Sequence, residues 1–261
     1  MPDSKTPRTP LKNKRLTIAL SVLGAILIST TIIVWQRAYF RALALQIPIV
    51  RQLLHQKTVE DQIAQYGPTA RPRLKAYFQE KQLVYPPEKV SLIVDKSKKE
   101  MQIYAYESGT FHPVHTYPIL AASGKLGPKL KEGDYQVPEG IYCVQELEPN
   151  SDYHLALRVN YPNEIDLERA RLDGRTKPGC DIMIHGSNCS AGCLAMGDPV
   201  SEELFVLAHD VKDRNIAIVI GPVDMRVTVP PAQPGAPKWL PELYADIKHA
   251  LADYPIGNSN Q

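Results

Sequence analysis

Residues 183–194 read Met183-Ile184-His185-Gly186-Ser187-Asn188-Cys189-Ser190-Ala191-Gly192-Cys193-Leu194. A short strand candidate, Asp181 to His185, ends on an imidazole, and a Gly- and Ser-rich loop then carries the chain to a thiol. A thiol is an effective nucleophile only as its thiolate, and a neighbouring His is the usual means of making it one. The stretch points to covalent acyl chemistry, with Cys193 as nucleophile and His185 as general base at a sheet edge facing a cleft. Gly192 lets a substrate approach the backbone closely. The N–H groups of Gly192 and Cys193 are candidates for a developing oxyanion, and the Gly186 carbonyl is a candidate to orient His185. Ser187, Asn188 and Ser190 either bind the imidazole or the substrate, or satisfy the loop's own backbone groups. Asp198 reads as a third catalytic group or, more simply, as the N-cap of a helix opening at Pro199.

Two other readings use the same residues. A buried structural cysteine is common. Cys180, His185, Cys189 and Cys193 also form C-x4-H-x3-C-x3-C, with donor types that suit zinc but a spacing that matches no common zinc pattern. The four cysteines are Cys143, Cys180, Cys189 and Cys193. In an oxidising compartment, with Cys193 kept free, Cys180 and Cys189 are the closest remaining pair for a bridge.

Outward from this stretch the texture is β. Val90–Asp95 and Met101–Tyr106 read as a hairpin across the polar Lys96–Glu100 turn. Val114–Ala122, Gly140–Val144, Leu155–Asn160 and Ile216–Ile220 add strands, and a single helix is expected over Val200–Val211. Many short strands with Gly and Pro between them predict a mainly β domain over residues 88–222.

The flanks differ. Residues 1–15 hold Lys5, Arg8, Lys12, Lys14 and Arg15, and read as a disordered cytoplasmic tail. Residues 16–35, LTIALSVLGAILISTTIIVW, carry no charge and are long enough to cross a bilayer. The basic cluster before the span predicts a single-pass anchor in the cytoplasmic membrane, with the rest of the chain outside the cytoplasm. A cleaved signal peptide, with Ala42-Leu43-Ala44 as its cleavage site, is the alternative. Residues 36–87 read as helical, broken at Gly67-Pro68 and resuming at Arg73 with Leu74, Tyr77 and Phe78 on one side. This region is either a stalk or a hairpin packed on the domain. Residues 223–261 read as a Pro-rich linker followed by an amphipathic helix over Leu240–Tyr254 that packs back on the domain. The formal charge of +2 argues against a nucleic-acid partner.

The His185-Gly186 pair and Ser190-Ala191-Gly192-Cys193 together resemble the L,D-transpeptidase catalytic family of the YkuD type, and Leu194-Ala195-Met196-Gly197-Asp198 resembles its YafK-like branch. Gly127-Pro128-Lys129, Glu132-Gly133-Asp134, Pro138-Glu139-Gly140-Ile141-Tyr142 and Asn160-Tyr161-Pro162-Asn163 extend the similarity over residues 72–230. The resemblance implies a β-sandwich with flanking helices and an active cleft at the HG…GC loop. It implies acylation of Cys193 by a peptidoglycan stem peptide and transfer to an amine, or to water. No cofactor is implied. Some members of the wider family attach a lipoprotein to the wall or cut that link, so amide hydrolysis is an alternative outcome. Three departures from the commoner pattern bear on the acceptor. Ala191 stands where many members have His, Leu194-Ala195 lacks the Arg or Asn found two residues after the Cys, and the loop is shorter. These departures also admit a wall-binding scaffold that has kept the fold and lost activity.

Overall fold

The computed structural model describes residue 36, residues 56–211 and residues 215–256. The predicted tail, the apolar span 16–35, most of the predicted stalk before residue 56 and the C-terminal tail lie outside the described residues. Among the described residues, no helix is long and apolar enough to cross a membrane.

The domain is mainly sheet with flanking helices. The predicted hairpin forms from β1 (Lys89–Asp95) and β2 (Glu100–Glu107), and β3 (Thr110–Pro118) adds to β2. The strands β4 (Ala121–Ala122), β5 (Gly140–Ser151), β6 (His154–Val159), β7 (Met183–His185), β8 (Leu194–Ala195) and β9 (Ala217–Gly221) complete one nine-stranded sheet of order β3-β2-β1-β9-β5-β6-β7-β8-β4. Strand β5 runs well past the predicted Val144 because it serves both halves. Gly140–Cys143 pairs with β9, and residues from Val144 onward pair with β6 across an irregularity between Val144 and Glu146. Such an irregularity bends a strand and lets it turn from one half of a sheet to the other.

The alternation of a strand divides β1 between two cores. Leu92 and Val94 enter the larger core, with Ile103, Leu157, Ile184 and Ile218. Ile93 points the other way, with Tyr104 and Val219, onto helix α4 (Leu240–Leu251). Leu243, Ile247 and Leu251 of α4 are buried there, as their spacing predicts. The segment before α4 is less extended than expected. Val223 and Met225 are buried, and the Asp224 N–H donates to Oδ2 of Asp95 at 2.9 Å.

Helix α1 (Val59–Glu80) corrects the expected break at Gly67-Pro68, for it passes through both Pro68 and Pro72. An internal proline costs about 3 kcal/mol. Several local and tertiary contacts offset that cost. A capping box joins Thr58 and Asp61, and the Thr69 hydroxyl donates to the Tyr66 carbonyl at 3.0 Å. Ala70, Leu74 and Phe78 are buried in the larger core. The helix is therefore packed on the domain, and Val59–Glu80 is not a free stalk. It is tied to α3 (Asp198–Asp210), where Arg73 and Tyr117 both bond the buried Glu203. A further helix, α2 (Glu164–Leu172), was not foreseen. Its signal was the Asn163/Asp166 capping box; its weakness was that only Arg169 and Ala170 are buried.

Asp210 closes α3 onto α1. It accepts from Arg71 Nε and Nη2 at 2.6 and 2.8 Å, from the Tyr85 hydroxyl at 2.9 Å and from His209 Nδ1 at 2.9 Å. Burial alone would push its pKa up, but the Arg71 fork and the other donors prevail and bring it to about 2, below the ordinary 3.8. A depressed carboxylate stabilises the fold above its unfolded pKa and loses that contribution as pH falls through the folded one. Urea unfolding should therefore show about 2 kcal/mol disappearing between roughly pH 5 and 1. Asp210→Asn should flatten that part of the curve, and an unchanged slope in the variant would refute the assignment.

Candidate active site

Strands β7 and β8 lie side by side and parallel, with Ile184 opposite Leu194 and His185 opposite Ala195. Ile184 and Leu194 both enter the larger core. Cys193 lies immediately before β8, two residues from Ala195, the register partner of His185, so the pairing of β7 with β8 sets the chain at Cys193 alongside the strand that ends on His185. The two chain segments that carry the residues singled out in the sequence are thus side by side.

His185 is 2 % exposed. One ring nitrogen, Nδ1, lies 2.6 Å from the Gly186 carbonyl. A carbonyl only accepts, so Nδ1 carries the hydrogen and Nε2 keeps its lone pair for an incoming proton. The Tyr153 ring covers the imidazole at a centroid distance of 4.9 Å. Burial pushes the imidazole pKa below 6.5, and the bond to Gly186 restores part of that fall. Gly186 has no room for a larger residue. A Cβ there would lie 2.6 Å from Asp198 Oδ1, 2.8 Å from the Tyr153 carbonyl oxygen and 2.8 Å from His154 Cβ.

Cys193 is half-buried, and its thiol points to the Asp181 carbonyl at 3.6 Å. The hydrogen bond that the thiol donates goes to that carbonyl and not to the imidazole. Burial pushes the thiol pKa up. A Met183 backbone bond and Lys129 pull it down, while Asp181 and Cys189 add to the rise. The resting pair is a protonated thiol and a neutral imidazole.

The loop between them differs from expectation in one respect that matters. The Gly192 N–H is not a free oxyanion donor. It is given to Ser123 Oγ at 2.7 Å, with Ser190 Oγ at 3.3 Å. Gly192 sits at φ +112°, which its lack of a Cβ permits. Ser190 donates to the Cys193 carbonyl at 2.7 Å and accepts the Ser123 N–H at 3.1 Å. Ser190 therefore fixes the loop. Ser123 was missed because it lies 67 residues away in sequence and arrives only through the pairing of β4 with β8. Ser187 gives its N–H to Asp198 Oδ1 at 2.7 Å, and Asn188 is exposed. Asp198 is not the N-cap of α3. Gly197 holds that position, with no side-chain cap bond.

All four cysteines are free thiols, so Cys180 and Cys189 are not bridged. Among the described residues, no group of three or more His, Cys, Asp or Glu side chains converges as metal ligands do, and the C-x4-H-x3-C-x3-C set does not assemble.

With this geometry in place, residues 89–225 match the L,D-transpeptidase catalytic domain family, YkuD. YafK of Escherichia coli (strain K12), a protein named for an inferred L,D-transpeptidase activity, is 32 % identical over 144 residues, covering 54 % of each chain. The chain thus spans about half the length of the curated relatives it matches. Among solved structures, the helical cell shape determining protein Pgp2 from Campylobacter jejuni is 26 % identical, with a TM-score of 0.42 over 52 % of this chain and 49 % of that one. Bd1075 of Bdellovibrio bacteriovorus is 23 % identical, with a TM-score of 0.38 over 54 % and 50 %.

Proposed function

We propose, from the premise that this chain belongs to the L,D-transpeptidase catalytic domain family, that it is a cysteine acyl enzyme acting on peptidoglycan stem peptides. The observation that supports the reading is the parallel pairing of β7 with β8, which sets the backbone at Cys193 beside the strand carrying His185, with Nδ1 of the imidazole spent on Gly186 and Nε2 left to take a proton. In the proposed reaction the Cys193 S–H proton passes to Nε2 as Sγ attacks a stem-peptide carbonyl. The tetrahedral oxyanion collapses, the C–N bond breaks, and Nε2 returns the proton to the leaving amine. An amine or water then attacks the thioester, with His185 again as base. Taking the Gly192 N–H as an oxyanion donor requires the substrate to displace Ser123 Oγ from it.

Transfer to a stem-peptide amine gives a cross-link, and transfer to water gives trimming or the release of a wall-linked lipoprotein. The exposed Ala191 offers no imidazole to an acceptor where many family members have one. The proposed setting is the outer face of the cytoplasmic membrane, with residues 16–35 as anchor.

Mass spectrometry tests the reading. The full chain incubated with a defined stem tetrapeptide should gain an acyl adduct on Cys193 and release the terminal amino acid, and Cys193→Ala should do neither. An unmodified Cys193, with the peptide intact at every pH from 6 to 9, would leave a non-catalytic wall-binding domain instead.

A further inference from the structure

The peptide group joining Gly186 to Ser187 is hydrogen-bonded at both ends. Its carbonyl accepts from His185 Nδ1 at 2.6 Å, and its N–H donates to Asp198 Oδ1 at 2.7 Å. We infer that Asp198 is a positioning residue for His185, acting through this one peptide group; the inference rests on the acyl-enzyme reading above.

An amide that donates to a carboxylate becomes more polarised, and its oxygen a stronger acceptor, because bonds in a chain reinforce one another. The acceptor gains most when the imidazole becomes imidazolium, the state formed as Cys193 loses its proton. Asp198 thus takes the place of the carboxylate that other nucleophile–base pairs bring directly to the imidazole, with a peptide between.

Three further observations bear on this. Asp198 lies in the first turn of α3, where the helix dipole favours an anion, yet no side-chain bond caps the helix. The carboxylate is spent on Ser187. Ser187 itself adopts φ +62°, a left-handed conformation that costs a serine energy and persists only when its surroundings impose it. The surroundings are residues 196–198. The Met196 N–H donates to the His185 carbonyl at 2.8 Å, the Gly197 N–H to the Ser187 carbonyl at 2.9 Å, and Asp198 takes the Ser187 N–H. Finally, Gly186 is the residue that lets this peptide pack so closely, for a Cβ there would meet Asp198 Oδ1, the Tyr153 carbonyl oxygen and His154 Cβ.

The test separates charge from shape. Asp198→Asn keeps an oxygen acceptor at the same reach and removes the charge; Asp198→Ala removes both. In the full chain, the His185 ring is titrated by NMR and the pH dependence of Cys193 alkylation by iodoacetamide is followed. Asp198→Asn should melt like the parent, lower the imidazole pKa and slow alkylation at neutral pH by about three- to tenfold. Asp198→Ala should slow it further, and on a stem peptide kcat should fall with KM unchanged. An imidazole titration and alkylation profile identical to the parent in Asp198→Asn, even with a lower melting temperature in Asp198→Ala, would overturn the inference. Loss of the acyl-enzyme reading would look different. Cys193→Ala would then leave peptide processing unaltered, while the NMR titration would still report what Asp198 does to the ring.

Discussion

His185→Ala is expected to cut turnover by about a thousandfold, within the hundred- to ten-thousandfold range of a positioned general base. The expectation follows from the protonation states of the resting pair. Burial raises the Cys193 thiol above its ordinary value and lowers the His185 imidazole below its own. At neutral pH neither is charged, so no standing thiolate exists to react without help. The proton must move to Nε2 during attack, and the thiol must first leave the Asp181 carbonyl. The same argument fixes the pH profile. Activity needs the imidazole neutral, so the acid limb should fall below the ordinary 6.5 and the rate should be sustained at pH 6.5 and above. In His185→Ala that limb should vanish, and iodoacetamide labelling should rise only as the thiol itself ionises, above the ordinary 9.0. Intact-mass measurement of labelling from pH 5 to 10 reads both curves. Coincident curves for parent and variant would mean that His185 does not act on Cys193.

Lys96→Met should destabilise the fold by about 3–5 kcal/mol, the typical consequence of leaving one partner of a buried ion pair alone. Lys96 and Glu139 are almost wholly buried, 3.0 Å apart. Lys96 Nζ also donates to the Gly127 and Val137 carbonyls at 2.9 and 2.8 Å. Glu139 accepts the Gly127 N–H at 2.6 Å and the Tyr244 hydroxyl at 3.0 Å. Burial lowers the Lys96 pKa and Glu139 raises it in part, so the charge depends on its partner. Methionine matches the stem but leaves the carboxylate without its counter-charge and the Val137 carbonyl without the Lys96 donor, while the Gly127 carbonyl keeps Gln136 Nε2 at 2.7 Å. The double variant Lys96→Met/Glu139→Leu removes both charges and should recover much of the loss. Urea unfolding decides. A single-variant loss under about 1 kcal/mol, or a double variant no better than the single, would show that the pair is solvated. The consequence reaches the site, because the segment that Lys96 holds carries Tyr135, whose carbonyl accepts Ser123 Oγ at 2.7 Å beside Gly192.

The features legible in the sequence share a short range. The β1–β2 hairpin was visible because its apolar alternation and polar turn are local. Helix α4 was visible because Leu243, Ile247 and Leu251 repeat at helical spacing. His185 and Cys193 stood out because both lie within one loop and its flanking strands. Where local and tertiary preferences opposed each other, tertiary packing won. Gly67, Pro68 and Pro72 should end a helix, yet the burial of Ala70, Leu74 and Phe78 and the ion pairs to α3 carry α1 through them. Asp198 before Pro199 has the composition of a cap, yet its carboxylate turns back to the Ser187 N–H.

The sequence by itself determined the mainly β class, the outer hairpin and the terminal amphipathic helix, because periodicity and close spacing act between residues that are neighbours in the chain. Only the tertiary structure decided that Ser123 occupies the Gly192 N–H, that Lys96 and Glu139 meet in the interior, and that Asp198 reaches the imidazole through a peptide. Those contacts join residues 11 to 69 positions apart, brought together by the order in which strands pair and by a loop folding back on itself. Strand order is set by the burial of the whole sheet, a collective property that no local stretch of residues encodes.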